Sequence, residues 1–103
     1  MAKRVKITAL ILSLLIMVGC SGEPVDPTEG LSAAEIYAKA KDRMASDNYL
    51  SAIELYETLE SRYPFGIYAT QAQLDVIYAY YLYEEPESAT AAADRFIKLN
   101  PRH

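Results

Sequence analysis

The sequence predicts an all-α fold in which two antiparallel pairs of helices stack as part of an α-solenoid, after a signal peptide and a flexible tether. Four segments between residues 32 and 100 carry apolar residues at helical spacing, and turn-forming residues separate them. The chain also repeats itself. Ala52 and Pro64 lie 12 residues apart, as do Ala89 and Pro101, and the second pair follows the first by 37 residues. A period of this length indicates a repeated helix pair.

The first 19 residues have the pattern of a secretory signal peptide. Lys3, Arg4 and Lys6 precede an uncharged apolar run over residues 7–18. As a helix this run would reach about 18 Å, whereas the hydrocarbon core of a bilayer is about 30 Å thick. Because the run is too short for a permanent span, we predict that residues 1–19 are a cleaved targeting segment.

Cys20 is the only cysteine, and it directly follows the small residue Gly19. The stretch Met17-Val18-Gly19-Cys20 resembles the bacterial lipobox, although that motif usually begins with Leu. The resemblance implies cleavage between Gly19 and Cys20 and a covalent lipid, S-diacylglycerol and an N-acyl chain, on Cys20. Several acyl chains anchor a protein stably, whereas one binds reversibly. The alternative is a plain secretory peptide with a free cysteine.

Ser21 and the net charge indicate where the chain works and what it does not bind. In the enteric sorting pattern that the motif resembles, Asp after the cysteine retains lipoproteins in the inner membrane, so Ser21 implies the periplasmic face of the outer membrane. Removing residues 1–19 takes away three of the ten basic residues and none of the fourteen acidic ones, leaving a net charge of −7. We expect no nucleic-acid partner, because an acidic surface repels phosphates.

A flexible tether is predicted over residues 20–31, ahead of the folded part. Residues 21–31 contain two prolines, two glycines and three acidic residues, with almost nothing to bury. The folded part is expected to begin at Ser32.

The first helix pair is predicted over residues 32–66. Ser32 and Glu35 have the spacing of a capping box, and the first helix extends to about Ser46. The second helix ends before Pro64. Its apolar positions are Tyr49, Ala52, Ile53, Tyr56, Leu59 and Tyr63.

The second helix pair is predicted over residues 67–103. Its first helix runs from about residue 68 to residue 83, and Pro86 suits the first turn of the next. Two antiparallel helices per unit, with an early small residue and a final proline, resemble the tetratricopeptide repeat. Ala52-x3-Tyr56 matches its A-x3-F element, whereas Ala93 takes the aromatic position in the second unit. The alternative is an unrelated array of helical hairpins.

Two further stretches resemble the BamD family, the tetratricopeptide lipoproteins of the outer-membrane β-barrel assembly machine. They are Arg62-Tyr63-Pro64-Phe65-Gly66 and Leu74-Asp75-Val76-Ile77-Tyr78-Ala79-Tyr80-Tyr81. The resemblance covers essentially the whole chain. It implies an outer-membrane-anchored scaffold that helps recognise and insert outer-membrane proteins. The implied partners are other subunits of the machine, unfolded outer-membrane proteins and, through the anchor, outer-membrane lipid.

Members of that family are longer and have further repeats. The resemblance therefore implies an N-terminal fragment, a truncated reading frame or a partial gene. The alternative function is a different tetratricopeptide lipoprotein of the envelope, such as a pilus or secretin pilotin-like scaffold.

By the same resemblance, the first helices of both units line a concave face that binds the C-terminal segment of unfolded outer-membrane proteins. Tyrosines offer a large contact area with a hydroxyl for backbone groups, and a lysine can receive a terminal carboxylate. The alternative is that the tyrosines only fill the core. The residues expected on this face are Tyr37, Lys41, Gln71, Leu74, Tyr78 and Tyr81.

The loop between the units carries a further candidate contact. Phe65 is expected either to pack under the next unit or to contact a partner. The rest of the motif has a structural alternative, in which Pro64 and Gly66 turn the chain. In that alternative Tyr63 closes the core and Arg62 satisfies carbonyls at the helix end.

The sequence offers no motif for catalysis or metal binding. Its one histidine, His103, is the final residue, and its one cysteine is expected to carry lipid. No phosphate-binding loop, nucleophile motif or metal-ligand cluster is present in the sequence. We therefore expect a binding protein rather than an enzyme, with neither cofactor nor metal.

The anchor can be tested at Cys20. The Cys20→Ser chain should remain an uncleaved or mislocalised precursor, because only the thiol accepts the diacylglycerol. Mass spectrometry of the membrane fraction should show acyl chains on the unaltered protein and none on the variant. An unmodified thiol on mature protein in the periplasm would contradict the lipoprotein interpretation.

Overall fold

The computed structural model describes residues 25–102, together with Gly19 and Gly22. The rest of the predicted signal peptide, and the predicted lipid site Cys20, lie outside the described residues. The described part forms four α-helices and no strand. They are α1 (Ala33–Ala45), α2 (Tyr49–Arg62), α3 (Ile67–Leu82) and α4 (Pro86–Leu99). The predicted all-α fold of two helix pairs is confirmed.

Local chemistry explains where each helix begins. The Ser32 hydroxyl accepts from the Glu35 N–H at 3.2 Å and the Glu35 side chain accepts from the Ser32 N–H, so the predicted capping box is confirmed. Asn48 caps α2 by accepting from the Ser51 N–H. Gly66 precedes α3 with a φ of 104°, a backbone conformation that favours glycine. Pro86 lies in the first turn of α4.

The helices pack in chain order, each against the next, and α3 also reaches α1. Each hairpin is antiparallel: the Tyr63 hydroxyl, at the end of α2, donates to the Leu31 carbonyl just before α1, at 2.6 Å. The first helices of the two pairs, α1 and α3, therefore lie side by side. This arrangement creates the shared face described below.

The core is narrow and rich in alanine, which lets the helices approach closely. Most of its buried side chains come from α1, α2 and α3. The largest fully buried ones are Tyr56, Ile36, Leu59 and Val76. The buried alanines of the core are Ala40, Ala52, Ala69, Ala72, Ala79 and Ala92.

Polar contacts join α2 to the second pair on another side of the bundle. The Tyr80 hydroxyl donates to Glu57, and Arg95 of α4 pairs with Glu60 at 3.0 Å. Burial raises the pKa of Glu60, while the positive charge of Arg95 acts in the opposite direction. These contacts add directional links to a core made of small side chains.

Residues 26–31, which we predicted as part of a flexible tether, instead form a turn held against the end of α2. Arg62 donates to the Thr28 carbonyl at 2.6 Å and to the Asp26 carboxylate at 2.7 Å. Thr28 is buried, and both its N–H and its hydroxyl donate to Asp26. These Thr28 hydrogen bonds, followed by Arg62, lower the pKa of Asp26. The described core and hydrogen bonds all lie within residues 26–102.

Candidate binding groove

Two neighbouring depressions lie along α3, one between it and the end of α1 and the other between it and α4. The first, here called the polar cleft, has a volume of about 380 Å³. The second, the apolar groove, has a volume of about 480 Å³ and lies between α3 and α4. Tyr78 borders both. The polar cleft is lined by Lys41, Met44, Ala45, Asp47, Tyr49, Tyr56, Asp75, Tyr78 and Leu82. The apolar groove is lined by Leu74, Ile77, Tyr78, Tyr81, Ala89, Thr90 and Ala93.

Asp75 joins the first helices of the two units. Its carboxylate accepts from the Tyr37 hydroxyl of α1 at 2.8 Å and from the Gln71 amide, one turn earlier on α3, at 3.0 Å. Asp75 is the only charged residue of α3. A partly buried carboxylate is stabilised when donors satisfy it, so these two contacts hold the side chain in place beside the polar cleft.

Tyr56 places an unsatisfied hydroxyl at the polar cleft. Its side chain is fully buried, and the hydroxyl has no hydrogen-bond partner among the described residues. The Tyr37 ring packs against it with centroids 6.2 Å apart and against Tyr68 with centroids 5.6 Å apart, both tilted. An unpaired buried hydroxyl costs about 1–3 kcal/mol.

The phenols of Tyr37 and Tyr56 remain protonated at neutral pH. Burial, then the hydrogen bond to Asp75, raises the pKa of Tyr37 to about 12. Burial is also the main cause that raises the pKa of Tyr56, and the charge of Asp75, the Tyr37 ring and the proximity of the Asp75 carboxylate add to it. Since Asp75 already accepts from two donors and the Tyr56 hydroxyl is buried, the exposed donor that an incoming acceptor meets at this cleft is Lys41.

Five of the predicted contact residues lie in or beside these two depressions. Tyr37 is half-buried beneath it, and Lys41 is exposed at the rim of the polar cleft. Leu74 is half-buried in the apolar groove, where Tyr78 and Tyr81 are 57% and 66% exposed. Neither tyrosine serves mainly as core filling, the alternative weighed for them. Their exposed rings are free to contact a ligand.

Phe65 is not part of this face. It lies in the loop before α3, and its side chain is 90% exposed. Twelve residues of helix separate this loop from Tyr78, which corresponds to about 18 Å. Phe65 instead borders a third depression with Leu99 and Asn100. Arg62 and Tyr63, from the same motif, hold the turn that precedes α1.

Sequence reasoning missed the roles of Asp75 and Tyr56. Asp75 carried a signal, because a single charge within an otherwise uncharged helix, four residues after Gln71, indicates a specific partner. Tyr56 had no comparable signal, since it matches the aromatic position of the repeat. Its unsatisfied hydroxyl is visible only in three dimensions.

The described residues contain no group of His, Cys, Asp or Glu side chains arranged to hold a metal ion. Among the same residues, no helix is long and apolar enough to cross a membrane.

Comparison with known proteins relates the chain to one repeat family. Residues 24–103 match the tetratricopeptide repeat family. The chain is 42% identical over 93 residues to outer membrane protein assembly factor BamD of Vibrio cholerae. The aligned segment covers 90% of this chain and 38% of that protein. The chain is 44% identical over 94 residues to BamD of Neisseria meningitidis serogroup B, covering 91% and 35%. The chain thus spans well under half the length of these relatives. The matches confirm the predicted resemblance.

The Tyr37 pKa predicts a loss of stability at alkaline pH. A folded pKa of about 12 exceeds the ordinary tyrosine value of about 10, so the stabilisation is complete below pH 10 and is lost as pH rises through about 12. Tyr37→Phe should lower the free energy of unfolding by about 1–2 kcal/mol at pH 8 and should flatten the alkaline decline. Urea unfolding at pH 8 and pH 11 measures both.

Tyr83→Phe is the control, because Tyr83 lies at the end of α3 outside both depressions. It should leave the alkaline decline as in the unaltered chain. If Tyr37→Phe and the unaltered chain lost stability in parallel between these pH values, the Tyr37–Asp75 hydrogen bond would not have the assigned strength.

Proposed function

We propose that this chain, which belongs to the tetratricopeptide-repeat family, is a binding scaffold in outer membrane protein assembly. The proposal is supported by its similarity over nine-tenths of its length to proteins named outer membrane protein assembly factor BamD. We further propose that lipid on Cys20 anchors it to the periplasmic face of the outer membrane, and that other assembly-machine subunits are among its partners. The role proposed is binding rather than catalysis.

The ligand proposed for the face of α1 and α3 is the C-terminal segment of an unfolded outer-membrane protein. The observation that supports it most strongly is the position of Tyr78, at the border of the polar cleft and the apolar groove. A C-terminal aromatic residue carries an apolar ring and a carboxylate on one Cα. Such a residue needs an apolar depression and a polar one side by side, and this face offers both.

Each of the two depressions can bind a different part of the ligand. In the apolar groove, the exposed rings of Tyr78 and Tyr81 offer faces for an aromatic side chain. In the polar cleft, the exposed Lys41 ammonium is a donor for a carboxylate or a peptide carbonyl. An extended peptide presents successive side chains to opposite sides, so its terminal residues can use both depressions.

The charge of Asp75 does not exclude an anionic ligand group. Tyr37 and Gln71 both donate to its carboxylate, which leaves the Lys41 ammonium for the incoming acceptor. Asp47, at the far rim, accepts from the Tyr49 hydroxyl at 3.0 Å. Both acids of the cleft therefore have donors of their own.

Peptide titration followed by NMR tests the groove. A peptide with the C-terminal sequence of an outer-membrane barrel should shift resonances on α1 and α3, with a Kd on the order of hundreds of micromolar, because few anchors offset the cost of ordering the peptide. Tyr78→Ala should abolish binding and keep the helical signal. Tyr83→Ala, a matched tyrosine outside both depressions, and Glu54→Ala should bind as the unaltered chain does.

Shifts confined to Phe65 and its neighbours would move the site to the loop between the units and contradict the groove. An amidated C-terminus gives a second check: if the peptide bound equally well with and without its carboxylate, Lys41 would not be the group that binds it.

A further inference from the structure

The three most exposed large apolar side chains of the described residues lie at one end of the bundle, together with Leu99. Phe65 is 90%, Val25 87% and Ile67 79% exposed, and Leu99 is 58% exposed. At this end α2 and α4 finish and α1 and α3 begin. We call these four residues the apolar tip.

Hydrogen bonds hold the backbone near the residues of the apolar tip. Arg62 holds Asp26, and with it the neighbouring Val25, at the end of α2 beside the loop that carries Phe65. The depression of about 360 Å³ that Phe65 borders is also lined by Leu99. The Asn100 amide after α4 donates to Gln73 of α3 at 2.7 Å. The four residues therefore lie at the same end of the bundle on anchored backbone.

The tether enters the bundle at this same end. Cys20 precedes Asp26 by six residues, which span at most about 20 Å when fully extended. The Arg62 contacts to Asp26 and Thr28 fix where the tether meets the bundle. An anchor on Cys20 would therefore keep the apolar tip within about 20 Å of the lipid surface.

Charge distinguishes the two ends of the bundle. Lys98 and Arg102 are exposed beside Leu99, while the nearby acids Asp26 and Glu60 pair with Arg62 and Arg95. Glu29 and Glu35 are also exposed here, so the bases and acids of this end balance. The opposite end carries Lys41 and Arg43 but a larger number of acids, namely Asp42, Asp47, Glu84, Glu85 and Glu87. Anionic headgroups would therefore repel the opposite end more strongly than the first.

We propose that the apolar tip sits in the headgroup region of the membrane beside the anchor, with Phe65 and Ile67 entering the lipid interface. Aromatic and aliphatic side chains flanked by cations favour that region. This contact rests on the lipid anchor of the proposed function. It orients the bundle on the membrane and directs the polar cleft, near the far ends of α1 and α3, away from the lipid.

A single tryptophan tests the contact. The chain has no Trp, so Phe65→Trp introduces a unique fluorescent reporter at a site that is 90% exposed. The chain from Cys20 onward keeps the described core and can be coupled through its only thiol to a maleimide lipid, in vesicles of phosphatidylethanolamine and phosphatidylglycerol. The emission should move to shorter wavelength, and brominated lipids should quench most of it.

The matched reporter is Tyr83→Trp at the acidic end, which should remain unquenched. Ile67→Trp provides a second reporter within the tip and should behave as Phe65→Trp does. Unquenched emission from both tip reporters, or equal quenching at Tyr83→Trp, would overturn the proposal. Because the maleimide lipid replaces acylation, this result is independent of whether cells acylate Cys20, which mass spectrometry of the native protein decides.

Discussion

The hydrogen bond from Tyr37 to Asp75 is the contact on which the binding face depends. It joins α1 to α3 across 38 residues of sequence, in a bundle whose core is made largely of small side chains. Contacts between alanines bring helices close together but specify their relative rotation only weakly. A directional hydrogen bond to a carboxylate specifies that rotation strongly. The Tyr37 hydroxyl also donates to the Asp75 carboxylate, which leaves the exposed Lys41 ammonium for a ligand.

Much of the fold could be predicted, because its signals are local. The capping box at Ser32, the proline in the first turn of α4 and the apolar spacing of each helix all depend on residues within one or two turns. The internal repeat also predicted that the second helix pair stacks on the first. The concave face followed from family resemblance, and Tyr78 and Tyr81 are exposed there.

The remaining features depend on contacts between distant residues. Residues 26–31 have the composition of a tether, but Arg62 binds them from 34 to 36 positions away. One alternative interpretation of the motif assigns the same guanidinium to carbonyls at the end of its own helix. The unpaired hydroxyl of Tyr56 is a consequence of burial beneath two neighbouring helices. Composition and periodicity carry no information on such contacts.

A double-mutant cycle on Tyr37 and Asp75 tests most directly whether their contact shapes the binding face. Tyr37→Phe, Asp75→Asn and the double variant would be compared in free energy of unfolding and in affinity for the C-terminal peptide. We expect a coupling energy of about 1 kcal/mol or more in unfolding, and a double variant that binds no more weakly than the weaker single variant. Additive effects on unfolding, with peptide affinity unchanged in all three variants, would contradict the account.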